Sequence, residues 1–251
     1  MKKIAVVIAL VAMMLFAGLA GAEEKAPAFT GSVDVGWYNQ YMDEVSGATN
    51  FNKPVIQPSV TVSHKSGVYL NLWNSYSPKG GFNSDFGDEA DVSLGLEKEF
   101  GKFKFDAGYS YVNLQNLRNT EGDLHAVYLY LDGPAVLGIT PFVMTELDIP
   151  VDREILEGGF LYRVGVKSSV SIAEQPLEFS LSAGGHDGVY GLRPELVSSG
   201  RATLSTTISV WKLAVTPKVS YQRRFGYAAE DGGMIEKKDK VWGGVNLSYA
   251  F

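Results

Sequence analysis

The chain has 251 residues, a formal net charge of −6, no cysteine, 28 glycines and 12% aromatic residues. This mild acidity argues against nucleic acid as a partner, and the missing cysteines exclude a disulfide framework. After residue 22 no apolar run approaches the ~20 residues that a membrane helix needs, so a helical span is excluded too.

Read from the start, "MKK" is a basic opening, an apolar run follows, and "AGA" at Ala20–Ala22 supplies the small residues of a cleavage site. This is the pattern of a secretory signal peptide rather than an anchor. Residues 1–22 are therefore expected to be removed, leaving 23–251 as one domain. Twelve stretches of alternating character follow, at about 29–42, 54–65, 68–78, 89–100, 103–114, 124–133, 139–149, 159–172, 177–189, 201–211, 213–225 and 240–251. In the fifth, Phe103, Phe105, Ala107, Tyr109 and Tyr111 share one face, while Lys104, Asp106, Gly108 and Ser110 share the other. In the tenth, Leu204 belongs to the apolar set and Ser205 to the polar set. The connections alternate between short ("SG", "GK", "AEQP") and long ("DEVSGATNFNK", "YGLRPELVSSG"). Period-two strands in even number with this asymmetry predict an all-β, transmembrane, antiparallel up-and-down barrel with both termini periplasmic. The expected location is the outer membrane of a Gram-negative-type bacterium, among outer-membrane lipids and lipopolysaccharide.

Aromatic residues near strand ends fit interfacial belts. Trp37 and Tyr41 are expected on the outer face at the extracellular edge, and Tyr249 and Phe251 at the periplasmic edge. The last strand, "GGVNLSYAF", ends on Phe251 and is expected to carry the signal read by the barrel-assembly machinery.

The stretches "GSVDVGWYNQY", "KPVIQPSVTVSHKSGVYLNLWNSYS" and "EADVSLGLEKEFGKFKFDAGYSYVNL" resemble the first half of the TorF-type putative porins, over residues 31–114. The resemblance implies an outer-membrane, porin-like protein and supplies no substrate.

No catalytic or metal-ligand set emerges. His64, His125 and His186 lack short spacing, and the acidic "SDFGDEAD" lacks a calcium-loop pattern. An outer-membrane lipid hydrolase would need a serine beside His125, and none completes the set. Neither cofactor nor enzymatic activity is expected. The informative feature is inward charge, with parity taken from each strand's apolar face. Asp34, Asp91, Asp106, Glu146 and Asp148 come from the first seven strands. Arg163, Lys167, Arg201, Lys218, Arg224 and Lys240 come from the last five. An acidic wall facing a basic wall would place a field across the lumen, with the basic wall setting the anion response. The expected function is passive diffusion of small hydrophilic solutes. The alternative is a packed, non-conducting barrel with a structural or surface role. No loop stands out as long enough to fold inward, so the long loops are expected to rim the mouth.

Overall fold

In the computed structural model, residues 27–78, 88–114, 122–154, 156–226 and 239–251 are described. The expected signal peptide and most of three long loops lie outside them. Twelve antiparallel strands close into a barrel. They are β1 Phe29–Tyr38, β2 Val55–His64, β3 Val68–Ser75, β4 Glu89–Phe100, β5 Phe103–Asn113 and β6 Leu124–Asp132. Then come β7 Ile139–Pro150, β8 Gly159–Ile172, β9 Gln175–His186, β10 Glu195–Thr206 (resuming at Ile208–Val210), β11 Leu213–Arg224 and β12 Asp239–Ala250. Each strand pairs with its sequence neighbours, and β1 closes the ring on β12, with Val33 opposite Tyr249 and Trp37 opposite Val245. Closure satisfies every strand edge, which is what a chain in lipid requires of its backbone.

Alternation decides the two faces. Leu72, Leu94, Leu129, Val164, Leu181, Leu204, Val219 and Leu247 all stand exposed on the outside, a lipid-facing belt drawn from eight strands. Their sequence neighbours, such as Asn71, Ser93, Tyr128 and Arg163, point into the lumen. The short turns gather at one end, where Ala173 and Glu174 both take positive φ, the geometry of a two-residue hairpin turn. Trp211 and Tyr249 meet there edge-on, with ring centroids 6.1 Å apart. Phe251 exchanges backbone hydrogen bonds with Gly31 at 2.9 Å in both directions. Its ring lies against that glycine, where an added Cβ would come within 2.5 Å of the ring. At the long-loop end Tyr109, Tyr111 and His125 form an outward cluster, and Trp37 is exposed on the same face.

The first strand departs from expectation. It ends at Tyr38 rather than residue 42, because the chain bends at Asn39–Gln40 and turns into the barrel. Tyr41, expected on the outer face, lies inside, where its hydroxyl donates to Glu89 at 3.0 Å and its ring sits 5.6 Å from Trp73. The tenth strand begins six residues earlier than expected, at Glu195, because its start pairs with β9 at His186.

Candidate functional site: a lumen divided by the first long loop

Residues 39–54, between β1 and β2, do not rim the mouth; they fold into the lumen. The tip is "DEVSG", Asp43–Gly47. Asp43 organises it, its carboxylate accepting from the Ser46 amide at 2.5 Å and the Ser46 hydroxyl at 2.6 Å. The Gly47 amide closes one helical-type turn by donating to the Asp43 carbonyl at 3.1 Å. Such a turn aims its carbonyls one way, and here they meet the arginines of β8, β10 and β11.

The contacts are dense. Arg163 Nε donates to the Glu44 and Val45 carbonyls at 2.9 and 3.1 Å. Arg201 donates to the Asp43 carbonyl at 2.8 Å, the Glu44 carbonyl at 3.2 Å and the Glu44 carboxylate at 2.6 Å. Lys218 holds the other Glu44 oxygen at 2.8 Å. Gln222 and Arg224 both donate to the Gly47 carbonyl, at 2.6 and 2.7 Å. Val45 packs with Leu161 and Val189 in a small buried apolar cluster. Hydrogen bonds from charged donors are the stronger class, so this docking is specific. Burial alone would raise the Glu44 carboxyl, but Lys218 and Arg201 outweigh it and hold it at about 2. About half of that side chain (51%) still faces lumen water, so the ion pairs are partly screened.

The basic side of the lumen is therefore occupied by the protein's own loop. Arg163, Arg201, Lys218 and Arg224 all touch it, and Lys240 reaches Asn52 of the loop's far end at 3.4 Å. Lys167 stands apart, near the short-turn end, paired with Asp132 at 2.7 Å.

On the acidic side the described residues enclose a cavity. At about 610 Å³, it runs from Gly67 and Glu97 near the short turns to Leu114 and Leu156 near the long loops. Asp43, Glu89, Asp91, Glu97, Asp106 and Glu146 line it, with Tyr41, Tyr69, Tyr128, Tyr130 and Tyr190 between them. No lysine, arginine or histidine is among the described residues of that lining. Tyr69 donates to Asp106 at 2.8 Å and shares a 2.6 Å hydrogen bond with Tyr128. Tyr190 donates to Asp148, which is buried at the edge of this region. Asp34 lies apart, across the barrel on β1, accepting from Ser32 at 2.8 Å and Asn246 at 3.4 Å. The structure thus brings Asp91, Asp106, Glu146 and Asp148 to one side and leaves Asp34 outside that group. Sequence parity missed the tyrosines and the loop. The tyrosines carried a signal, since Tyr69, Tyr128 and Tyr130 occupy polar-parity positions where an apolar-looking residue is out of place.

Outward, His125 accepts or donates one 2.6 Å hydrogen bond with Tyr109 and stacks on its ring. Among the described residues no group of three His, Cys, Asp or Glu is arranged to hold a metal ion.

No protein-family model matches the chain, and no curated protein does. Solved structures do match. The KdgM porin superposes with a TM-score of 0.54 at 9% identity, over 88% of this chain and 99% of that one. The barrel is built like a porin's. The NanC porin gives 0.54 at 9%, over 86% and 98% of the two chains. The KdgM porin in complex with disordered oligogalacturonate gives 0.53 at 8%, over 88% and 99%. These likenesses concern the fold, a porin-like outer-membrane barrel, and do not single out the TorF-type family.

Proposed function

We propose that the protein is an outer-membrane channel through which small hydrophilic solutes diffuse passively, and that its conducting path is the acidic, tyrosine-lined half of the lumen. The observation that carries this reading is the cavity whose lining extends from the short turns to the long loops without a basic residue among its described members. The apolar belt supports insertion in lipid, with lipopolysaccharide on the long-loop side. The short turns and both termini then face the periplasm, and β12, through Tyr249 and Phe251, is the strand offered to the barrel-assembly machinery. With the arginines engaged by the loop, the unbalanced field in the path is negative and favours cations.

The test is reversal potential in a planar bilayer under a KCl gradient. Wild type should prefer K⁺, and the triple change Glu89→Gln, Asp91→Asn, Glu146→Gln should move the potential towards anion preference. The shift should shrink at high salt, since the Debye length falls from about 10 Å at 0.1 M to about 3 Å at 1 M. The docked loop favours a second reading, a packed barrel with a structural or surface role. A properly inserted wild type that carries no current would establish that reading instead.

A further inference from the structure

On the wall of the main cavity, four consecutive strands set two glycines between two tyrosines. Tyr69 of β3 lies opposite Gly95 of β4, Gly95 lies opposite Gly108 of β5, and Gly108 lies opposite Tyr128 of β6. All four occupy lumen-facing positions, so the glycines leave a bare gap between the rings. The tyrosines cover it. A Cβ added at Gly95 would sit 2.5 Å from the Tyr69 hydroxyl oxygen, and one added at Gly108 would sit 2.6 Å from Cζ of Tyr128. The two hydroxyls meet over the gap at 2.6 Å, and Tyr69 also donates to Asp106 at 2.8 Å. The Tyr69 ring is thus fixed along the wall rather than across the lumen, beside a carboxylate. Tyr69 and Asp106 are both only half-buried, and both line the cavity.

An aromatic face attracts a cation within about 6 Å of its centre, and a neighbouring carboxylate adds to the pull. Charge then decides what suits this wall. Glu97, opposite Asp106 on the next strand, lines the same end of the cavity and engages Lys104 at 3.0 Å. The described lining holds no cation to balance Asp106. A neutral solute would leave that charge unanswered, and an anion would be repelled. A hydrated inorganic cation keeps its water shell and gains little from the ring. An ammonium group carried on carbon gains from both, because its C–H surface covers the ring while its charge lies beside the carboxylate. Towards the long loops the next lumen-facing pair is Ser93 and Ser110, hydrogen-bonded to each other at 2.8 Å. The surroundings stay polar, which suits a small, water-soluble cation.

We propose that Tyr69 and Asp106 form a binding platform for the ammonium head of a small organic cation, with Tyr128 and the Gly95–Gly108 gap holding the Tyr69 ring in place. The inference rests on the channel reading and names a solute class for its path. The full-length barrel is probed with choline, with betaine and with glucose. Betaine carries the same trimethylammonium head as choline and a carboxylate besides; glucose is uncharged. Two readouts are taken: block of single-channel K⁺ current, and saturation-transfer NMR of the solute on the detergent-solubilised barrel. Choline should give saturable responses in both, betaine weaker ones and glucose none. Tyr69→Leu removes the ring and should weaken choline binding about 5-fold or more. Tyr69→Phe keeps the ring and should lose less, and Asp106→Asn should weaken binding as well. Gly95→Ala meets only the far end of the Tyr69 side chain. It should lift the ring off the wall, weakening choline binding and lowering unitary K⁺ conductance together, which guards against a Tyr69 variant that fails to assemble. No choline response from a heat-modifiable, correctly folded barrel overturns the proposal. Betaine or glucose binding at least as tightly as choline, or unchanged affinity in both Tyr69→Leu and Gly95→Ala, overturns it too. Current without a choline response removes the platform and leaves the channel. Saturable choline binding without any current does the reverse.

Discussion

Replacing Gly47 by valine should release the inward loop and change what the barrel conducts. Gly47 has φ +73°, a conformation that costs a non-glycine residue about 1–2 kcal/mol. An added Cβ would also come within 2.8 Å of Arg163 Nη2 and of the Gln222 amide oxygen. Relief requires the turn to back away, which breaks the Gln222 and Arg224 hydrogen bonds to the Gly47 carbonyl. Counting about 1.5–3 kcal/mol for the one from charged Arg224 and about 1 kcal/mol for the other, the change disfavours docking by about 3.5–6 kcal/mol. That is about 300-fold or more in the docking equilibrium. The barrel wall should be untouched, because none of its ladder contacts involve the loop. In planar bilayers the variant should show larger unitary conductance. Its reversal potential should move towards anion preference as Arg163, Arg201 and Arg224 come free. Heat-modifiable migration should stay normal. Wild-type conductance and wild-type selectivity together would refute the view that the loop both narrows the lumen and masks its basic side.

Arginine at two neighbouring positions of β10 should separate the faces. Leu204→Arg places charge in the lipid belt, at about 2–4 kcal/mol near mid-membrane, and should fold poorly in vesicle-insertion assays, whereas Ser205→Arg should fold nearly as wild type. Gly31→Leu should impair assembly as strongly as Phe251→Asp, since either prevents the terminal ring from seating; normal heat-modifiable barrels from the leucine variant would contradict this. Acid should release the loop late. The Glu44 carboxyl is lowered to about 2 from 4.5, so its contribution to docking is complete above about pH 4.5 and is lost as pH falls through about 2. Loop release, read by a fluorescent label on the loop, should therefore be absent from pH 7 to about 5 and appear only in stronger acid, and release centred near pH 6 would mean another group holds the loop.

The fold was legible because a strand's two faces are set by local alternation. Phe103 to Tyr111 read as a strand with Asp106 on its polar face, and Asp106 lines the cavity. The same period separated Leu204 from Ser205 without knowledge of any neighbour. Inward charge on β8, β10 and β11 was legible for the same reason. What those charges do was not. "DEVSG" reads locally as a solvated outer loop, since its small and polar residues make a turn in any setting. Its partners lie far away in the chain: Arg163 contacts Glu44 across 119 positions, and Arg224 contacts Gly47 across 177. Only closure of the barrel brings β8, β10 and β11 round to face the gap between β1 and β2. Within the strands the sequence by itself therefore separated an outer from an inner face, because that depends on parity alone; just past the end of β1 it failed, and Tyr41, expected outside, lies inside. The tertiary structure decided that the inward loop covers the basic side and leaves the cavity on the acidic side, because a loop's direction depends on carbonyls meeting guanidinium groups that no local pattern places beside them.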